Sequence, residues 1–109
     1  MSKFFWLDDE RTPPSDEWVW FDSAEAIISA LGKLHKQVEI ISLDHDLGDR
    51  LIYGDGYEVM KWIELQVHTD SGFHCPAIRF HTQNPEGRRM MTLALVSIEN
   101  KLGRRVFRS

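Results

Sequence analysis

Leu7-Asp8-Asp9-Glu10-Arg11, Leu43-Asp44-His45-Asp46 and Arg79-Phe80-His81-Thr82-Gln83-Asn84 each begin where a run of strand-forming residues stops. If these runs are neighbouring parallel strands, their polar tips meet at the edge where open α/β sheets place their ligands. Asp8, Asp9, Asp44 and Asp46 would repel one another there. Two carboxylates about 4 Å apart cost roughly 4 kcal/mol at an effective dielectric near 20. A hard divalent cation relieves such a cluster, and Mg²⁺ takes one or two carboxylates together with waters and a substrate phosphate. Asp9 and Asp44 in combination fit this role best, whereas Asp46 and Glu10 suit helix caps or solvent-facing positions equally well. An unperturbed imidazole changes charge near neutrality, so His45 and His81 are the residue type that could give or take a proton. His35, His68 and His74 read as structural or exposed.

Phosphate recognition has its own candidates. Asn84-Pro85-Glu86 combines an N-cap residue, a proline at the first helical position and an acid in the first turn. Asn84 caps that helix, and its amide and the helix N-terminus could also face a phosphate. Arg88 and Arg89 follow one turn later, placed either to clamp phosphate oxygens or to solvate the surface. Ser42 and Thr82 lack an acid–histidine pair at obvious spacing, which weakens serine-type catalysis. Gly54 and Gly56 are not followed by the Lys-Ser/Thr of a phosphate loop, and no cysteine–histidine cluster offers a zinc site.

The chain has 109 residues, 42% hydrophobic and 28% charged, a size that suits one domain over residues 1–109 with a single core. Its formal net charge of −4 argues against duplex nucleic acid as a partner, because sequence-independent binding neutralises many phosphates. Arg88-Arg89 and Arg104-Arg105 are local basic clusters, so a small phosphorylated molecule stays open as a partner. A second copy of the chain, forming a homodimer, is also allowed. The opening run Met1 to Trp6 is too short for a signal peptide or a membrane span. With the lone Cys75, which has no internal disulfide partner, this leads to the expectation of a cytoplasmic protein without a membrane partner.

Strands must position these groups, and four are predicted: Lys3–Leu7, Trp18–Phe21, Val38–Leu43 and Ala77–Phe80, with Val106-Phe107 as a last edge strand. Trp18 and Trp20 alternate along theirs and either pack or leave one ring exposed. Thr12-Pro13-Pro14-Ser15 breaks the chain, so no helix follows the first strand directly. Helices are predicted from Ala24 to Lys36, capped by Asp22 or Ser23, from Tyr57 to His68, and from Asn84 to Leu102 with Gly103 as the stop. Gly48 to Gly56 reads as a loop. The nearly continuous apolar character of Val38–Leu43 suits a buried parallel strand covered on both faces. The order β-β-α-β-α-β-α-(β) implies crossover connections. A doubly wound, mainly parallel α/β sheet in the order 2-1-3-4, with a fifth strand at the edge and the first helix reduced to a loop, is the expected fold.

Leu7-Asp8-Asp9, Ser42-Leu43-Asp44, Gly54-Asp55-Gly56-Tyr57-Glu58-Val59 and Pro76-Ala77-Ile78-Arg79-Phe80 resemble segments of a response-regulator receiver domain, which has a flavodoxin-like fold. They look like its acidic pair, its phosphoacceptor segment, the start of its next helix and its fourth strand. In that register His81 stands where receivers carry a Thr or Ser switch residue. No lysine matches the fifth-strand lysine; Arg104 and Arg105 lie near that place. The closer resemblance is to the cyclic-phosphate-processing receiver-like domains. It is carried by Leu7-Asp8-Asp9-Glu10-Arg11-x-Pro13, Ser42-Leu43-Asp44-His45-Asp46-Leu47-Gly48, Gly56-Tyr57-Glu58-Val59 and His81-Thr82-x-Asn84-Pro85-x-Gly87-Arg88-x-Met90.

This resemblance implies processing of a cyclic or otherwise phosphorylated nucleotide. The resulting expectation is a metal-dependent phosphoesterase acting on a cyclic phosphate, with a cyclic nucleotide as the small-molecule partner. Asp8, Asp9, Asp44 and Asp46 would hold Mg²⁺ or Mn²⁺. Asp44, His45 and His81 would carry the chemistry, the histidines by shuttling protons, and Arg11, Thr82, Asn84 and Arg88 would bind the phosphate. The alternative is a non-enzymatic signalling or binding module, with Asp44 as phosphoacceptor or cation ligand. A receiver fold used only as an interaction surface is a third reading.

Overall fold

Four parallel strands form one sheet in the order β2-β1-β3-β4: β1 (Lys3–Leu7), β2 (Trp18–Phe21), β3 (Val38–Leu43) and β4 (Ala77–Phe80). The computed structural model describes residues 3–109; Met1 and Ser2 of the opening apolar run lie outside them. Parallel neighbours require crossovers. These are supplied by α1 (Ala24–Leu34) between β2 and β3, and by α2 (Arg50–Tyr53) and α3 (Gly56–Thr69) between β3 and β4. α4 (Pro85–Leu102) follows β4. The strand order and the replacement of the first helix by a loop agree with the receiver-like, flavodoxin-like fold expected from the sequence.

Register does the positioning. Leu7 pairs with both Phe21 and Leu43, and Leu43 with Phe80, so all four strands end at one level. Ladder bonds run one residue further: the Asp8 amide donates to the Phe21 carbonyl (3.1 Å), that of Asp44 to Leu7 (3.0 Å) and that of His81 to Leu43 (3.0 Å). Asp8, Asp44 and His81 therefore leave the sheet side by side.

Strand alternation places Phe5, Leu7, Ile41, Leu43, Ile78 and Phe80 on one face. There they join Ile27 and Leu31 of α1, Val59, Met60 and Ile63 of α3, and Met91, Leu95 and Ile98 of α4 in one core. Each such side chain contributes about 1.5–3 kcal/mol when fully buried. The other face carries Phe4, Trp6, Trp18, Trp20, Ile40 and Ser42. The loop between β1 and β2 lies across part of it, tied down where the Trp6 Nε1–H donates to the Arg11 carbonyl at 2.8 Å.

Local differences from the sequence expectations have local causes. α1 is capped by Ser23, whose Oγ accepts from the Ala26 amide (3.2 Å), and it tightens into a 3₁₀ turn at His35–Gln37 instead of running on to Lys36. The Gly48–Gly56 stretch is not all loop. Asp49 accepts from the Leu51 amide (3.0 Å) and starts the one-turn α2, which Gly54 ends with φ of +72°. The edge strand at Val106-Phe107 is reduced to a single parallel bridge between Ile78 and Phe107. Cys75 is buried, and burial pushes its thiol up to about 11. Among the described residues no helix is long and apolar enough to cross a membrane.

Candidate active site at the strand tips

Asp8, Asp44 and His81 each bring one ligand-capable atom to within 4.8 Å of the others. Asp8 is buried, which opposes its charge, yet four donors surround it. Its Oδ1 accepts from the amides of Glu10 (2.9 Å) and Arg11 (3.0 Å), and its Oδ2 accepts from His81 Nε2 (3.0 Å) with Arg11 Nε 3.9 Å away. These interactions outweigh burial and hold the Asp8 carboxyl below its usual range. Asp44 goes the other way. Burial and the adjacent Asp8 charge push its carboxyl up, and a hydrogen bond from the Thr82 hydroxyl offsets this only in part.

Burial holds the His81 imidazole below its ordinary value in spite of the neighbouring carboxylates, so the ring is neutral at pH 7. Its Nε2 faces an ionised carboxylate and must carry the proton. Nδ1 is then an acceptor, and the Ser42 hydroxyl donates to it at 2.8 Å. The ring stacks on Trp6, with centroids 3.9 Å apart and planes 3° apart.

A second group lies beside the first, where α3 and α4 begin. His45 Nδ1 is 2.9 Å from Asp46 Oδ1, and the Asn84 amide donates to both Asp46 oxygens at 3.2 Å. Asn84 also caps α4 by accepting from the Gly87 amide at 3.0 Å. The imidazole lies against Gly87 so closely that a Cβ there would collide with it. His45 Nε2 is 3.8 Å from Asp55 Oδ2, beyond hydrogen-bonding distance.

Two arginines grip the main chain leaving β4. Arg11 Nη1 donates to the His81 carbonyl (3.1 Å), and Arg88 Nη2 donates to the Thr82 carbonyl (3.3 Å). A guanidinium has five N–H donors, so both keep donors for an anion.

The sequence matches the family model described as "Cyclic-phosphate processing Receiver domain" over residues 4–97. The chain belongs to this family. The family's description points to cyclic-phosphate processing as its role. Comparison with curated proteins returns no match, and neither does comparison with solved structures.

Not every residue singled out in the sequence of this receiver domain joins the central group. Asp8, Asp44 and His81 meet, and Thr82 touches Asp44. Asp9 does not join them. It is exposed and lines a separate cleft with Asp22, Leu47, Gly48 and Tyr53, because successive residues leaving a strand point to opposite sides. The expected pairing of Asp9 with Asp44 is thus replaced by Asp8 with Asp44. Asp46 is likewise outside the group, held by His45 and Asn84. The expectation that His81 shuttles protons is also revised, since both of its ring nitrogens are occupied within the protein.

Four residues with a part in this geometry were not singled out for it. Ser42 has an acid–histidine pair after all, in His81 and Asp8, but it is fully buried and cannot meet a substrate. Trp6 supports the His81 ring, Gly87 makes room for His45, and Trp20 Nε1 donates to the Asp8 carbonyl at 2.7 Å. Two of them left a sequence signal: Trp6 precedes Asp8 by two residues and Ser42 precedes Asp44 by two, so each shares the side of its acid.

Proposed function

We propose that this receiver domain is a divalent-metal-dependent phosphoesterase that opens a cyclic phosphate of a nucleotide. The observation that carries this reading is the pair of buried carboxylates, Asp8 and Asp44, of which Asp44 ionises against resistance. A buried charge held at such cost calls for a compensating cation. The donors are oxygens, which fits Mg²⁺ or Mn²⁺ better than a softer metal. Asp44 and the remaining lone pair of Asp8 Oδ2 would hold the ion, while His81 would fix the orientation of Asp8 from behind. Bound there, the ion supplies Lewis-acid polarisation of a phosphoryl oxygen and acidifies water.

The chain's own groups account for the rest. Arg11, Arg88 and the N-terminus of α4 bind and orient the non-bridging oxygens. His45 has Nδ1 held by Asp46 and Nε2 without a hydrogen bond, the arrangement of an oriented general base. Water adds to phosphorus, one ring P–O bond breaks, and the proton passed through His45 reaches the freed hydroxyl. The product is a phosphomonoester.

The test is a panel of cyclic nucleotides incubated with Mn²⁺ or Mg²⁺ and analysed for linear phosphomonoesters. Metal-dependent release from at least one member is expected; a panel left intact with both metals would sink the proposal. A second reading is supported by the Thr82–Asp44 contact, which would suit Asp44 as a phosphoacceptor in a binding module. Labelling by acetyl phosphate in the wild type but not in Asp44→Asn would favour that reading.

A further inference from the structure

We propose that the cleft between the Pro13–Pro14 loop and β2 is a nucleobase subsite, with the Trp20 indole as its stacking platform. The inference rests on the phosphoesterase reading for the other end of the ligand and adds where the base sits. β2 is an edge strand, and Trp20 is 45% exposed on the sheet face that the helical core leaves bare. An aromatic residue so exposed would ordinarily be mobile, yet its Nε1–H is fixed on the Asp8 carbonyl at 2.7 Å. A ring already held in place offers its face with little further entropy to lose.

Pro13, Pro14, Asp16 and Trp18 complete a cleft of about 500 Å³, within the range of small-ligand sites. Its lining includes the carboxylate of Asp16 and no lysine, arginine or histidine. An anionic occupant is therefore disfavoured, whereas a neutral planar ring bearing amino donors, such as adenine, guanine or cytosine, complements it. Continuity with the strand-tip site completes the argument. The residue whose carbonyl anchors Trp20 is the one whose carboxylate stands beside Asp44. A ligand with a cyclic phosphate at one end and a base at the other matches two adjacent sites of opposite preference, the anion going to Arg11 and α4 and the ring to Trp20.

The experiment is calorimetric titration, with Mg²⁺ present, of adenosine 2′,3′-cyclic phosphate and of its base-free analogue, methyl riboside 2′,3′-cyclic phosphate. Base–aromatic stacking predicts that the wild type binds the base-bearing compound about tenfold or more tightly. In Trp20→Ala the ratio of the two affinities should fall to about one, and Trp20→Phe, which keeps a ring but loses the N–H that anchors it, should give an intermediate ratio. Equal affinities in the wild type, or a preference that survives Trp20→Ala, would overturn the subsite. Hydrolysis of both compounds without base preference would remove the subsite and leave the phosphoesterase; base-dependent binding without turnover would do the reverse. Binding of neither compound would overturn both.

Discussion

His81–Asp8 and His45–Asp46 are both histidine–aspartate pairs at one end of the sheet, with N···O distances of 3.0 and 2.9 Å, but burial and the second ring nitrogen separate them. The Asp8 side chain is 1% exposed and that of Asp46 63%. In the first pair a neutral imidazole is fastened at both nitrogens and stacked on Trp6, so it can orient Asp8 but has no site left for a travelling proton. In the second the ring is oriented through one nitrogen only. Equal contact distances thus give unequal chemistry, because a proton carrier needs one uncommitted nitrogen as well as an orienting partner.

The largest expected effect concerns the carboxylate between the pairs. Asp44→Asn should lower turnover of a cyclic phosphate about a thousandfold, in line with losing a principal electrostatic group. In metal-free buffer at pH 7 the same variant should melt at a higher temperature than the wild type. The sign follows from linkage: the folded protein raises the Asp44 pKa, so ionisation at neutral pH costs folded-state stability that a neutral amide does not. A lower melting temperature in that variant would argue that Asp44 serves the fold rather than the site.

The two histidines should then divide. His45→Gln should slow turnover about a hundredfold, as loss of a general base does. His81→Gln should slow it less than about tenfold. Equal losses, or a larger one at His81, would reverse the assignment. His81 has a separate signature in stability. Its folded pKa is lowered, so the unfolded chain takes up a proton first as pH falls below about 6.5 and the folded state loses ground down to the folded pKa. His81→Gln should flatten urea-unfolding free energies across that interval.

A smaller effect isolates the His45 side alone. Gly87→Ala drives a methyl group into the imidazole, which should cost about 1–3 kcal/mol in urea unfolding. Turnover should fall about tenfold as His45 is displaced, while any stabilisation by added metal persists. Loss of the metal response in this variant would mean that the two groups are one.

Much of this architecture was legible in the residues because apolar runs stop abruptly at polar tips. Leu7, Leu43 and Phe80 are the last apolar residues of their strands, and their shared register brings Asp8, Asp44 and His81 into a row. The choice between neighbours was not legible. Asp8 and Asp9 are adjacent acids, and which one faces Asp44 depends on the register of β1 against β3 and on the turn after β1, where Glu10 and Arg11 amides close on Asp8. The links from His81 to Ser42 and Trp6 join residues 39 and 75 positions apart, respectively, so no local spacing could announce them. α2 escaped notice because a single turn between two glycines has too few residues for a periodic pattern.

The most direct test of the paired carboxylates is thermal unfolding of the wild type and Asp44→Asn with and without Mg²⁺ or Mn²⁺. A cation at a hundred times its dissociation constant should stabilise the wild type by about 2.7 kcal/mol and leave Asp44→Asn unmoved. No shift in the wild type, or the same shift in both proteins, would contradict a metal site at Asp8 and Asp44.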